Sequence, residues 1–151
     1  MRIPLGEDTV GIMRLEPAQA RKLFKQARVA RLATSDPTGR PHIVPITFAL
    51  GQDVLYFAVD DKPKSSQPLR RLRNIRQNPQ VSVLVDHYAD DWTALWWARA
   101  DGHAEIWTDR DQCGGPVGLL QRKYPQYAAH PPEGQVVAVE VTRWTGWTGA
   151  E

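Results

Sequence analysis

VARLATSDPTGRPHIVPITFAL, residues 29–50, reads as two strands around a turn. VARLATS (29–35) and HIVPITFAL (42–50) have strand length and are rich in apolar and β-branched residues, while DPTG at 36–39 places Pro and Gly where a tight turn takes them. A hairpin follows. Side chains alternate across a strand, so Val44, Ile46, Phe48 and Leu50 share one face and Ile43, Pro45, Thr47 and Ala49 the other. Pro45 has no N–H to give a ladder, which predicts a sheet edge or a break there. Gly51-Gln52-Asp53 then turns the chain into a third strand, VLYFAV at 54–59.

The same alternation of short signals continues outward. Pro17 to Ala27 predicts a helix with Ala20, Leu23, Phe24 and Ala27 on one face. VSVLV at 81–85 opens a strand running to 88, and Leu95 to Trp107 forms another, interrupted at Asp101-Gly102. Thr108 to Tyr127 reads as weakly helical at best, because Gly114-Gly115-Pro116 breaks it before GLLQRKY resumes. VVAVEVTRW at 136–144 is the last strand. Strands joined by hairpins with helices inserted define an α+β protein, an antiparallel barrel with peripheral helices. At 151 residues, 42% of them hydrophobic, the expectation is a single domain over 1–151 with a full core.

Between the third and fourth strands lies KPKSSQPLRRLRNIRQNP, residues 62–79, with six basic residues and no acidic one. Ser65 or Ser66 can cap a helix, Pro68 suits its first turn, and Asn78-Pro79 ends it. On a helical wheel Leu69, Leu72 and Ile75 form one stripe, with Arg70, Arg71, Arg73 and Asn74 opposite and Arg76 at the edge. One face packs and the other is cationic. The free N–H groups and partial positive charge of a helix start, beside Lys62, Lys64 and two hydroxyls, make a cradle for an anionic group.

Composition narrows the partner. The net charge of +2 is small, so the positive charge is local and suits a small anionic ligand; a nucleic acid is the rival partner. Cys113 is the single cysteine, which excludes an intrachain disulfide and a cysteine metal site. No stretch reaches the about 20 apolar residues of a membrane span, and the first residues lack a signal core, so a cytoplasmic protein without a membrane partner is expected. His42, His87, His103 and His130 show no metal-ligand spacing. Asp60-Asp61 and Asp90-Asp91 sit beside turns and read as solvated loop ends. No nucleophile motif surrounds Cys113. Trp96 and Trp97 in DDWTALWWAR are candidates for a substrate pocket; as strand neighbours they face opposite ways, so one of the two at most can line it.

The succession ARLATSDPTGRPHIVPITF, DVLYFAVDDKP and LRRLRNIRQNPQVSVLVD resembles the pyridoxamine-phosphate-oxidase-like split-barrel family, in its flavin/deazaflavin oxidoreductase branch, over residues 28–86. DHYADDWTALWWARADGHAEI, KYPQY and WTGW are similar to an actinobacterial subgroup taken to use coenzyme F420. The resemblance implies a split barrel, a homodimer, and a cofactor groove at the subunit interface. It assigns the flavin phosphate to Arg70 and Arg71 and lays the ring along His42 to Thr47, with Val44, Pro45 and Ile46 against its flat face. Ser65, Lys62 and Lys64 join the binding set. Two positions depart from the oxidases, which usually have a lysine where Thr47 stands and a hydroxyl near Ala58. Those losses, with Lys62 and Lys64 gained, favour a deazaflavin with an anionic polyglutamate tail over FMN. The implied function is hydride transfer between F420 and a small organic substrate, with no catalytic acid or base named. The alternatives are an FMN-dependent oxidase or reductase, or a cofactor-storage or haem-binding barrel without turnover, in which His42 or His87 would supply the axial ligand.

Overall fold

The computed structural model describes residues 13–59 and 69–150. Seven strands form one antiparallel sheet: β1 (Ala30–Ser35), β2 (Pro41–Ile46), β3 (Ala49–Gly51), β4 (Val54–Ala58), β5 (Gln80–His87), β6 (Trp96–Trp107) and β7 (Val136–Thr148), in the order β2-β1-β5-β6-β7-β4-β3. The first hairpin pairs Ala30 with Ile46 through Ser35 with Pro41. Its turn is held by Asp36, whose Oδ1 accepts from the N–H groups of Thr38 (2.9 Å) and Arg40 (3.0 Å). Gly39 takes a φ of 90°, a conformation open to glycine at little cost.

The second strand of that hairpin is shorter than its apolar run. β2 stops at Ile46, and after Thr47 and Phe48 the chain restarts as β3 on the far edge of the sheet. Two residues cannot span a flat seven-stranded sheet whose neighbouring strands lie about 4.8 Å apart. The sheet therefore curls until its edges meet, and the barrel follows from that link. Tyr124 fastens the junction: its hydroxyl accepts from the Phe48 N–H (3.1 Å) and lies 2.9 Å and 3.0 Å from the carbonyls of Arg28 and Phe48. Pro45 sits on an edge strand, as its missing N–H required.

Asp101-Gly102 does not end β6; it marks a bulge. Asp101 faces Arg143 and Gly102 faces Val141, which leaves Thr142 of β7 as the extra residue. A Cβ on Gly102 would lie 2.2 Å from the Glu140 carbonyl oxygen, so the crossing admits only glycine. The last strand also runs on past Trp144 to Thr148.

Four helices are described outside the sheet. α1 (Pro17–Gln26) opens where Gln19 Oε1 accepts from the Glu16 N–H (3.0 Å), and it buries Ala20 and Phe24. Phe24 meets Phe48 and Trp144 edge-on. α2 (Arg70–Gln77) begins later than expected, with Leu69 as an N-cap lacking a side-chain bond; Ser65, Ser66 and Pro68 lie outside the described residues. The expected break at Gly114-Gly115-Pro116 is absent. α3 (Arg110–Lys123) runs through it, capped by Asp109, and α4 (Pro125–Ala129) follows. An interior proline costs a helix about 3 kcal/mol. Burial of Cys113, Pro116 and Leu120 along one side of α3 offsets that cost.

The barrel core is a continuous cluster including Phe24, Leu32, Phe48, Leu55, Phe57, Val83, Val137 and Val139. A smaller cluster of Ala49, Leu120 and Tyr124 seats α3 against β3. None of the described helices is long and apolar enough to cross a membrane.

Candidate cofactor cleft

Where the sheet's two edges meet, a cleft of about 700 Å³ opens. One side is Pro45, Ile46 and Thr47 at the end of β2; the other is Phe57, Ala58 and Val59 at the end of β4. Arg71 enters from α2, Tyr127 from α4, and residues 130–134 complete the wall. Thr47 Oγ1 and the Tyr127 hydroxyl stand 3.2 Å apart, a hydrogen bond between the β2 side and α4.

Arg71 is the chemically distinctive member. Its Nε is buried without a hydrogen-bond partner among the described residues, and burial lowers its pKa from the ordinary guanidinium value. A guanidinium cannot shed its charge at neutral pH, so the half-buried side chain keeps its charge with one donor unsatisfied. The buried side of α2 is Leu72, Asn74 and Ile75, with Arg71 half-buried beside them; Leu69, Arg70, Arg73 and Arg76 are exposed. This corrects the expected wheel at two positions. Asn74 is buried because its Nδ2 donates to Thr34 Oγ1 (3.0 Å), and Leu69 is 39% exposed because as N-cap it precedes the packed face. The rotation separates the two arginines. Arg71 lines the cleft and Arg70 does not.

Of the other expected site residues, Pro45, Ile46 and Thr47 line the cleft. Val44 packs against the barrel core, and His42 is half-buried with its Nδ1 unpartnered; neither is among the lining residues. Lys62, Lys64 and Ser65 lie outside the described residues. Trp96 and Trp97 are absent from the cleft. β6 runs from Trp96, opposite Thr148, to Trp107, opposite Val136, and Val136 pairs with Ala58 at the cleft, so the tryptophans stand at the other end of that strand. They do face opposite ways: Trp96 stacks on His87 (6.1 Å) and packs on the core, while the Arg99 guanidinium lies 5.9 Å from the Trp97 ring. His87, proposed as an axial haem ligand, is therefore engaged away from the cleft, and the histidine that does line it is His130. Asp91 works as a cap, accepting from Thr93 N–H (3.0 Å) and Oγ1 (2.7 Å).

Sequence reasoning missed Tyr127 and the wall at 130–134. HPPEG carries no periodicity and no charge run, so its one signal was a Pro-Gly-rich connection between helix and strand. Among the described residues no three His, Cys, Asp or Glu side chains gather as a metal would require.

A curled antiparallel sheet with a cleft at its seam is the split-barrel architecture. The chain belongs to the pyridoxamine 5'-phosphate oxidase family, whose model matches residues 17–148. No curated protein matches it at the sequence level. Among solved structures, a conserved hypothetical protein from Mycobacterium tuberculosis superposes with a TM-score of 0.72 at 19% identity, covering 89% of this chain and 86% of that one. An FAD-binding protein from Mesorhizobium loti gives 0.68 at 22% identity over 88% and 94% of the two chains. The haem storage protein HutZ from Vibrio cholerae gives 0.67 at 18% identity over 89% and 95%. At these identities the likeness establishes the fold.

Proposed function

We propose that the cleft binds a flavin-type cofactor, coenzyme F420 in preference to FMN, and that the protein is an oxidoreductase acting on a small organic substrate. The observation that carries this reading is Arg71, a half-buried guanidinium that lines the cleft and whose Nε has no hydrogen-bond partner among the described residues. Its guanidinium would hold the cofactor's phosphate, and Pro45 and Ile46 would lie against the ring. Lys62 and Lys64 suit the further negative charge of a polyglutamate tail, while Thr47 and Ala58 lack the cation and hydroxyl expected of a tight FMN-phosphate site. The bound cofactor supplies the hydride chemistry; the residues of the chain orient it and exclude water. Phe57 and Val59, both buried, perform the exclusion from the β4 side. The assembly in this reading is a homodimer.

Fluorescence titration of the purified protein with F420, FMN and FAD tests it. The expected result is F420 binding at least tenfold tighter than FMN, about 1.4 kcal/mol. Stoichiometric co-purification of FMN that F420 fails to displace refutes the choice of cofactor.

A further inference from the structure

Residues 131–134 of the cleft wall belong to no helix or strand, so the ladder hydrogen bonds that fix the other side of the cleft are missing there. Backbone bonds pin the wall at its ends, from the His130 N–H to the Gln126 carbonyl (2.9 Å) and from the Val59 N–H to the Gln135 carbonyl (2.8 Å). Between those pins, among the described residues, the hold comes from one side chain. Arg110 reaches from the first position of α3 and donates from both terminal nitrogens, Nη1 to the carbonyl of Glu133 and Nη2 to the carbonyl of Gly134. A planar guanidinium that grips two successive carbonyls fixes their orientation as well as their distance.

The location of this arginine is informative. A cation in the first turn of a helix faces the positive end of the helix dipole, so Arg110 does nothing for the stability of α3. Its two hydrogen bonds go to the wall. We propose that Arg110 is a positioning residue that sets the width of the cleft without touching the ligand, by holding the 133–134 turn against the opening lined by Ile46 and Ala58. The proposal rests on the reading of the cleft as a flavin-type site.

Arg110→Ala and Arg110→Lys in the full chain test it by two measurements. The first is amide hydrogen exchange, which needs no ligand: exchange should quicken across 130–135 in Arg110→Ala while β1 and β2 stay protected as in the wild type. The second is F420 and FMN titration, in which Arg110→Ala should bind at least tenfold more weakly than the wild type. Arg110→Lys, which keeps the charge but cannot grip two carbonyls in a plane, should fall between them. Unchanged exchange in the wall overturns the proposal. So does a lower melting temperature with unaltered affinity and an unaltered spectrum of the bound cofactor, since a merely structural contact would give that result. If the wild type binds neither cofactor, the cofactor reading fails first, and the claim that Arg110 positions a ligand falls with it.

Discussion

Replacing Arg71 by Met should raise the stability of the cofactor-free protein and lower its affinity for cofactor, two changes of opposite sign from one side chain. The side chain is half-buried, its Nε has no partner, and burial depresses its pKa. Leaving a buried donor unsatisfied costs about 1–3 kcal/mol, and the lower end applies because the rest of the guanidinium still meets solvent. Met keeps the length of the stem while removing the polar group. A gain of about 1 kcal/mol corresponds to roughly 2–4 °C in melting temperature for a chain of this size. Binding should move the other way. A hydrogen bond to a charged group is worth about 1.5–3 kcal/mol, so F420 affinity should fall about 10- to 140-fold. Arg70→Ala is the control: Arg70 is exposed and outside the cleft, so its loss should change affinity by no more than about twofold. Thermal melts of the cofactor-free variants and fluorescence titrations, run beside a single-stranded oligonucleotide, read all of this. An Arg71→Met variant that melts lower and binds cofactor as the wild type does refutes the reasoning. Lost oligonucleotide binding with intact cofactor binding would identify α2 as a nucleic-acid surface.

Lys123 offers a pH test. Its ammonium lies 3.8 Å from the Phe48 ring centroid without a hydrogen-bond partner, and burial, aided by Arg28, lowers its pKa from 10.5 to about 8. Between about 8 and 10.5 the unfolded chain holds more protons than the folded one, so this group makes stability rise with pH across that window. Below it the penalty is constant. Lys123→Met removes the titration, so its stability advantage over the wild type should be largest at pH 7 and shrink by pH 10; denaturant midpoints that differ equally at both pH values contradict this. Light scattering should give a dimer near twice 17.0 kDa, and a strict monomer that still binds cofactor would contradict the paired assembly.

Strand and turn signals were legible wherever alternation and punctuation agreed. The DPTG hairpin and the edge position of Pro45 follow from side-chain direction and a missing N–H, which are local properties. α3 was illegible for the opposite reason, because its propensity is poor and it is seated by tertiary contact, Leu120 packing with the distant Ala49 and the helix lying against β3 and β4. At the site, the basic helix announced itself by charge, but charge alone could not say which arginine turns inward. That depends on Asn74 finding Thr34, residues 40 apart in sequence. Tyr127 and Arg110 escaped notice because their roles exist only once α3, α4 and the turn at 133–134 are brought together. Trp96 and Trp97 drew attention by composition, and their side chains are spent on His87, the core and Arg99.

The order of the strands also sets an order of assembly. Among the described residues β3 and β4 join the sheet through β7, although 77 residues of sequence lie between Ala58 and its partner Val136. During synthesis β1, β2, β5 and β6 can zip as a four-stranded unit, while β3 and β4 wait for the last strand to emerge. Contacts this far apart in sequence form late, since the closure of a long loop precedes any reward for it. Phe57, Ala58 and Val59 are therefore installed at the end of folding, and a nascent chain lacking β7 has one side of its cleft missing. In the proposed reading, competence to bind cofactor arrives together with closure of the barrel, so an incomplete chain has no half-formed pocket with which to sequester it.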